Sequence, residues 1–237
     1  MTHNIKNKLP DFQEFEKKTG LNFNDKELLK VAFTHRSFIN ESRGLAKEHN
    51  ERLEFLGDAV LELVSSEFLF NKYPDKPEGE LTAIRAALVN TQSISDAASK
   101  LGMNDYLLLS KGESKDTGRA RKFILADAFE ALIGAIYVDK GYEAAQDFIA
   151  KNILYKTEEI VENRLWQDAK SRFQELIQEK HSITPKYKLV KEIGPDHDKK
   201  FVSAVYVADK EIAQGQGRSK QEAEQEAAKA ALQKADI

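Results

Sequence analysis

Along the chain the apolar residues keep one rhythm and then exchange it for another. From residue 12 to about residue 157 they recur mostly at the three- and four-residue spacing of amphipathic helices. The run breaks at Gly20, Gly44, Tyr73-Pro74-Asp75-Lys76-Pro77, Gly102 and Gly141. That stretch predicts an all-α domain, placed at residues 11–157. From Asp168 the pattern gives one amphipathic helix marked by Phe173, Leu176 and Ile177, then alternating segments at residues 187–190 and 201–207. A third short strand near Ile212 and an Ala-rich helix complete the series. The order α-β-β-β-α predicts a separate small α+β domain at residues 167–237. The boundary falls within residues 158–167, where charged residues interrupt the apolar periodicity.

Two helical stretches carry acids in a pattern that matters chemically. In residues 51–61, Glu51, Glu54 and Asp58 sit at i, i+3 and i+7, within roughly 60° of one another around a helix, so they share a face. Leu53, Leu56, Val60 and Leu63 are expected on the opposite side as the core stripe. Taken alone, these three acids are read first as a solvated acidic face and only second as a metal site. Residues 124–136 differ, being apolar nearly all round, as a buried helix is, with Asp127 and Glu130 as the only charges. At i and i+3 these two point the same way, and burying unpaired carboxylates is costly unless a cation meets them. Arg85, Arg119, Arg121 or Lys122 could be that cation; so could a metal ion. With no cysteine and five scattered histidines, the donors are hard oxygens, which suit Mg²⁺ or Mn²⁺ better than zinc. Ser-His-Asp catalysis finds no support in that scatter.

Composition narrows the picture further. The absence of cysteine, and of an apolar stretch after the first residues, argues against disulfide scaffolds, Cys-based zinc and a secretory signal, so a cytoplasmic protein is expected. The most apolar segment, residues 123–138, is shorter than the ~20 residues a membrane span needs. A net charge of −3 argues against bulk electrostatic coating of nucleic acid, so any RNA binding must come from local patches. From residue 167 onward, however, 13 Lys and Arg face 12 Asp and Glu, leaving that part slightly basic. There, Gly215-Gln216-Gly217-Arg218-Ser219-Lys220 lacks the third glycine and the Lys-Ser/Thr of nucleotide loops, so no nucleotide cofactor is expected. Ser219 instead predicts an N-cap with Glu222 closing a capping box, and Lys220 adds a cation where backbone N–H groups favour phosphate. Ala223, Ala227 and Ala230 are expected to pack the other face of that helix.

The run Asn50-Glu51-Arg52-Leu53-Glu54-Phe55-Leu56-Gly57-Asp58 resembles the signature of the ribonuclease III family. Further matching pieces are Thr34-His35-Arg36-Ser37, Glu78-Gly79, Arg85-Ala86-Ala87-Leu88-Val89 and Ala126-Asp127-Ala128-Phe129-Glu130-Ala131-Leu132-Ile133-Gly134, in the family's order and across nearly the whole chain. The resemblance implies an endoribonuclease acting on double-stranded RNA. Glu54, Asp58, Asp127 and Glu130 would be its metal-binding catalytic carboxylates, for Mg²⁺ with Mn²⁺ able to substitute. Glu51 and Glu78 match positions that organise the cleavage site and the dimer. Metal-activated water would attack the phosphodiester and leave 5′-phosphate and 3′-hydroxyl ends. Phe55 lies about 40° from Glu51, beside the acidic face. Either a helix of its own domain covers the ring, or it inserts into a second subunit as the matching family aromatic does. The resulting homodimer would cut both strands and leave short 3′ overhangs, with ribosomal-RNA precursors and messenger RNA among its substrates.

The α-β-β-β-α order, with Pro185-Lys186-Tyr187 and Gly194-Pro195-Asp196-His197, resembles a double-stranded-RNA-binding domain. By that resemblance Ser171, Gln174, Glu175 and His197 would touch successive minor grooves. Arg218, Ser219 and Lys220 would hold phosphates across the major groove between them. Gln221 and Glu222 follow Lys220 where such domains usually carry more lysine, which implies modest affinity. Two other readings stay open on the sequence: a non-catalytic RNA-binding scaffold, and a metal enzyme acting on a small phosphoester.

Overall fold

The computed structural model describes residues 9–41, 44–115, 117–195 and 199–234. The chain divides into two compact units, with the division along the sequence between Asn163 and Arg164.

The first unit is helical: α1 (Phe12–Thr19), α2 (Lys26–Ala32), α3 (Arg36–Glu41), α4 (Glu51–Lys72), α5 (Glu78–Leu88), α6 (Thr91–Lys100), α7 (Arg119–Lys140), α8 (Tyr142–Asn152) and α9 (Thr157–Glu162). The two 22-residue helices, α4 and α7, share its most extensive interface, while α2, α6 and α8 also pack on α7. A helix with neighbours on several sides must be apolar around most of its circumference, and α7 buries Ile124, Leu125, Phe129, Leu132, Ile133 and Ile136. Each such side chain contributes roughly 1.5–3 kcal/mol by leaving water. The start of α4 is fixed by buried Asn50, whose N–H donates to the Thr34 carbonyl at 2.9 Å.

The contact between α4 and α7 is closest at two glycines. A Cβ on Gly57 would lie 1.7 Å from the Glu130 carbonyl oxygen, and one on Gly134 would lie 2.1 Å from the Leu53 carbonyl oxygen. Main chain rests on main chain there, and no other residue fits. This crossing corrects the predicted core stripe of α4. The buried positions are Gly57, Val60, Leu61, Val64, Ser65 and Leu69; Leu53 and Leu56 are half-buried and Leu63 is exposed. The side that α7 covers borders the acids instead of lying opposite them, and it leaves a second apolar stripe, with Leu63, turned outward.

The second unit comprises α10 (Ala169–His181), β1 (Lys186–Ile193), β2 (Lys200–Val207), β3 (Lys210–Gly217) and α11 (Lys220–Leu232). The sheet is antiparallel in the order β1-β2-β3, with Tyr187 opposite Val205 and Val205 opposite Ala213. Its core joins Phe173 and Ile177 of α10 to Val205, Ala213, Ala227, Ala228 and Ala231, with Ala223 also buried and Ala230 partly so. Two strands run longer than the alternation predicted. β1 passes through a bulge between Leu189 and Lys191, which shifts the phase of its pattern. β3 extends through Gly215 and Gly217, which lie directly under α11: a Cβ on Gly215 would meet the Ala227 nitrogen at 2.0 Å. The glycine-flanked run is therefore a strand beneath a helix.

Candidate active site

The crossing of α4 and α7 decides which acids meet. One carboxylate oxygen from each of Glu54, Asp127 and Glu130 lies within 4.8 Å of the others, and all three side chains are partly buried. Asp58, on the next turn of α4, is exposed and outside that triplet, though its charge acts on both Glu54 and Glu130. Glu51 is exposed at the start of α4, with Arg36 Nη1 at 3.4 Å and His49 Nδ1 at 3.8 Å. Glu78 opens α5, is exposed, and accepts a hydrogen bond from the Thr82 hydroxyl at 3.1 Å. Among the described residues no contact ties Glu78 to the triplet.

Burial is the main force on these acids, and mutual repulsion adds to it. Glu130 is pushed up to about 8 by burial first and then by Asp58, Asp127, Glu54 and Glu62. Asp127 is raised by burial and by Glu51; Glu54 is raised by burial and by Asp127, Glu51 and Asp58. The cations that could have relieved them are engaged elsewhere. Arg85 pairs with Glu62 at 2.8 Å, and Arg121 donates to the Glu113 carbonyl at 2.8 Å. Lys122 donates to Gln92 at 3.0 Å, and Arg119 sits over the Phe123 ring. Among the described residues no Lys or Arg forms an ion pair with Asp127 or Glu130. Clustered, half-buried oxygen donors without a cation are the donor set that a hard divalent ion completes.

In the second unit Ser171, Gln174 and Glu175 line the exposed side of α10 together with Gln178 and Glu179. The Ser171 N–H donates to the capping Asp168 carboxylate at 3.0 Å. Arg218, Ser219 and Lys220 are exposed at the start of α11. Ser219 caps the helix by accepting the Glu222 N–H at 3.1 Å, and Glu222 in return accepts the N–H of Arg218, one residue earlier than an ordinary capping box uses. His197 lies outside the described residues. Phe55 is 80 % exposed and shares the outward stripe of α4 with Leu63 and Phe70, so among the described residues no helix of its own chain covers it.

Comparison with known proteins agrees with this arrangement. Residues 25–157 match the Ribonuclease-III-like family and residues 169–235 the double-stranded RNA binding motif. The chain belongs to the ribonuclease III family. Among its relatives, Ribonuclease 3 of Treponema denticola is 46 % identical over 220 residues, covering 93 % of this chain and 89 % of that protein. Ribonuclease 3 of Anoxybacillus flavithermus is 48 % identical, with 94 % and 93 % covered, and one from Streptococcus pneumoniae is 49 % identical, with 91 % and 92 % covered. The solved nuclease domain of ribonuclease III from Campylobacter jejuni is similar at a TM-score of 0.54 and 42 % identity, over 60 % of this chain and 98 % of that one. That structure shows flexibility in its region involved in dimer formation. The molecule is thus a double-stranded-RNA endoribonuclease, a helical nuclease domain followed by an RNA-binding domain. Among the described residues no helix is long and apolar enough to cross a membrane.

Reasoning from sequence missed three features of the site. Gly57 and Gly134 set the helix spacing, and the one signal for them is a glycine in each of two otherwise well-formed helices. Glu62 continues the acidic row one turn past Asp58, a position readable from spacing alone. Its pairing with Arg85 depends on the fold.

Proposed function

We propose that Glu54, Asp58, Asp127 and Glu130 hold Mg²⁺, which Mn²⁺ can replace, and that this centre hydrolyses both strands of an RNA duplex. The observation that carries the proposal is the convergence of Glu54, Asp127 and Glu130 without a protein cation. A divalent ion bound there supplies charge stabilisation at the phosphoryl group and makes water a competent nucleophile at neutral pH. The chain's own residues do the rest. Four carboxylates provide the oxygen donors, and Glu130 gives up its proton when the cation enters. Glu51, braced by Arg36, and Glu78 organise the surroundings of the cut.

Duplex RNA is held by the second domain, through Ser171, Gln174, Glu175 and His197 in the minor grooves and Arg218, Ser219 and Lys220 on the phosphates. Two chains pair through Phe55, and their sites act on opposite strands. The products carry 5′-phosphate and 3′-hydroxyl ends with short 3′ overhangs. Precursors of ribosomal RNA and other cytoplasmic transcripts are the substrates. Residues 11–157 and 167–237 form the two working domains.

Cleavage of a long RNA duplex, single-stranded RNA and a small phosphodiester, each with Mg²⁺ and with a chelator, tests the proposal. Metal-dependent cutting of the duplex alone is expected, together with loss of cutting but retained duplex binding in Asp127→Asn. Substantial cleavage by Asp127→Asn would remove the metal assignment.

A further inference from the structure

Arg85 and Glu62 form a pair that the reaction as described does not use. The Arg85 Nε lies 2.8 Å from Glu62 Oε2, and its Nη1 donates to the Ser66 hydroxyl at 2.6 Å. That hydroxyl in turn donates to the Glu62 backbone carbonyl at 2.6 Å, closing a three-residue set across α4 and α5. Both charged side chains are about two-thirds covered, Arg85 at 34 % and Glu62 at 39 % exposure. Glu62 stands one turn beyond Asp58 on the same side of α4 and extends the row Glu51, Glu54, Asp58. Its charge already acts on Glu130. Two further carboxylates, Glu51 and Glu62, therefore border a centre built from four; Arg36 reaches Glu51 at 3.4 Å from an exposed position, whereas the 2.8 Å bond of Arg85 to Glu62 is shorter and partly desolvated.

We propose that Arg85 is a positioning residue that draws Glu62 out of the acidic cluster, so that four carboxylates face the divalent ion and the RNA phosphate keeps room to approach. The proposal rests on the metal reading of the Glu54, Asp127 and Glu130 triplet. It makes a directional demand that simple bracing does not. Freed from Arg85, Glu62 adds one uncompensated negative charge beside the ion, so metal binds more tightly while catalysis falls, because a further acid now opposes the incoming phosphate. Freed from Glu62, Arg85 leaves an uncompensated positive charge, and metal binds more weakly.

The test is Mn²⁺ binding without RNA, followed by the electron paramagnetic resonance of the free ion, beside kcat on duplex RNA with Mg²⁺. The full-length wild type, Arg85→Gln, Glu62→Gln and the double variant are compared. Arg85→Gln is expected to bind Mn²⁺ about tenfold more tightly and to cut at least about tenfold more slowly, since tenfold corresponds to only ~1.4 kcal/mol beside a divalent charge. Glu62→Gln is expected to bind Mn²⁺ more weakly, and the double variant to return to within about threefold of wild type in both readings. Unchanged Mn²⁺ affinity in Arg85→Gln, or equal weakening in both single variants, overturns the proposal. If Arg85→Gln alone does not fold, the double variant decides: near-wild-type affinity supports the proposal and about tenfold weaker binding overturns it. A wild type that binds no Mn²⁺, or an Asp127→Asn variant that binds it unchanged, defeats the metal reading itself.

Discussion

Placing a single methyl group at Gly57 should dismantle the active centre without touching a carboxylate. In Gly57→Ala the new Cβ would fall 1.7 Å from the Glu130 carbonyl oxygen and 2.8 Å from the Gly134 nitrogen, both main-chain atoms with nowhere to rotate. Ordinary contact needs about 3.2 Å or more, so α4 must retreat from α7 by roughly 1.5 Å. Mg²⁺ accepts oxygen at about 2.0–2.1 Å in near-ideal octahedra, and a retreat of 1.5 Å is most of one such bond. Glu54 would then no longer share an ion with Asp127 and Glu130. Overpacking of this kind costs about 1–3 kcal/mol, which for a chain of this size lowers Tm by roughly 3–10 °C. Titration calorimetry with Mg²⁺ and thermal melts measure the two effects on one sample. Metal affinity should fall at least about 100-fold while the variant remains folded at 25 °C. Gly134→Ala closes the same gap from the other side and should behave alike. A Gly57→Ala protein that keeps both its Tm and its Mg²⁺ affinity would show that the helix contact does not set the spacing.

Three further outcomes are expected. Burial and the neighbouring acids push Glu130 up to about 8 from the ordinary 4.5, so between those values the metal-free fold holds a proton that the unfolded chain has lost. The stability that Glu130 contributes is therefore full below about pH 4.5 and is lost as pH rises towards 8, by about 2 kcal/mol once solvent screening is allowed for. Melts in chelator from pH 5 to 9 should show the decline and saturating Mg²⁺ should remove it; a flat profile in chelator refutes the assignment. Removing residues 168–237 should weaken duplex binding and its tolerance of salt yet leave slow cutting at low ionic strength, and a folded, metal-binding truncation that never cuts would count against it. Phe55→Asp should sediment as a monomer and cut poorly where the wild type is a dimer at micromolar concentration, because an unpaired carboxylate in an interface is costly. Equal sedimentation of the two proteins would contradict that.

The chemistry of this chain is more legible in its sequence than its geometry is. The i, i+3 and i+7 acids of α4 and the i, i+3 pair of α7 could be read as one-sided because helical periodicity fixes direction locally. What lies opposite them could not. Periodicity showed α4 to be apolar over a wide arc, but not which part of that arc α7 would take, and Leu63 was placed in a core that it does not enter. Its neighbours on the outward stripe, Phe55 and Phe70, show that α4 has two apolar sides, and a single-chain pattern cannot say which is internal. Strand limits failed for a local reason: the bulge in β1 breaks alternation, and the Gly and Gln residues of β3 carry no apolar signal. A glycine inside each of two long helices hints at close packing, but the contact itself joins residues distant in sequence, and helical periodicity does not say that they meet.

With Gly57 and Gly134 touching main chain to main chain, the separation of Glu54 from Asp127 and Glu130 is set by the backbone and has no side-chain cushion in it. Drift in the surrounding core can then alter how stable the enzyme is while leaving the spacing of those carboxylates untouched. Selection or design for a larger cation such as Ca²⁺, whose oxygens stand at about 2.3–2.6 Å, would have to act through the lengths of the acids themselves, by exchanging Asp for Glu or the reverse. The helices offer no adjustment between contact and separation, so at this centre ion preference and fold stability can evolve along separate paths.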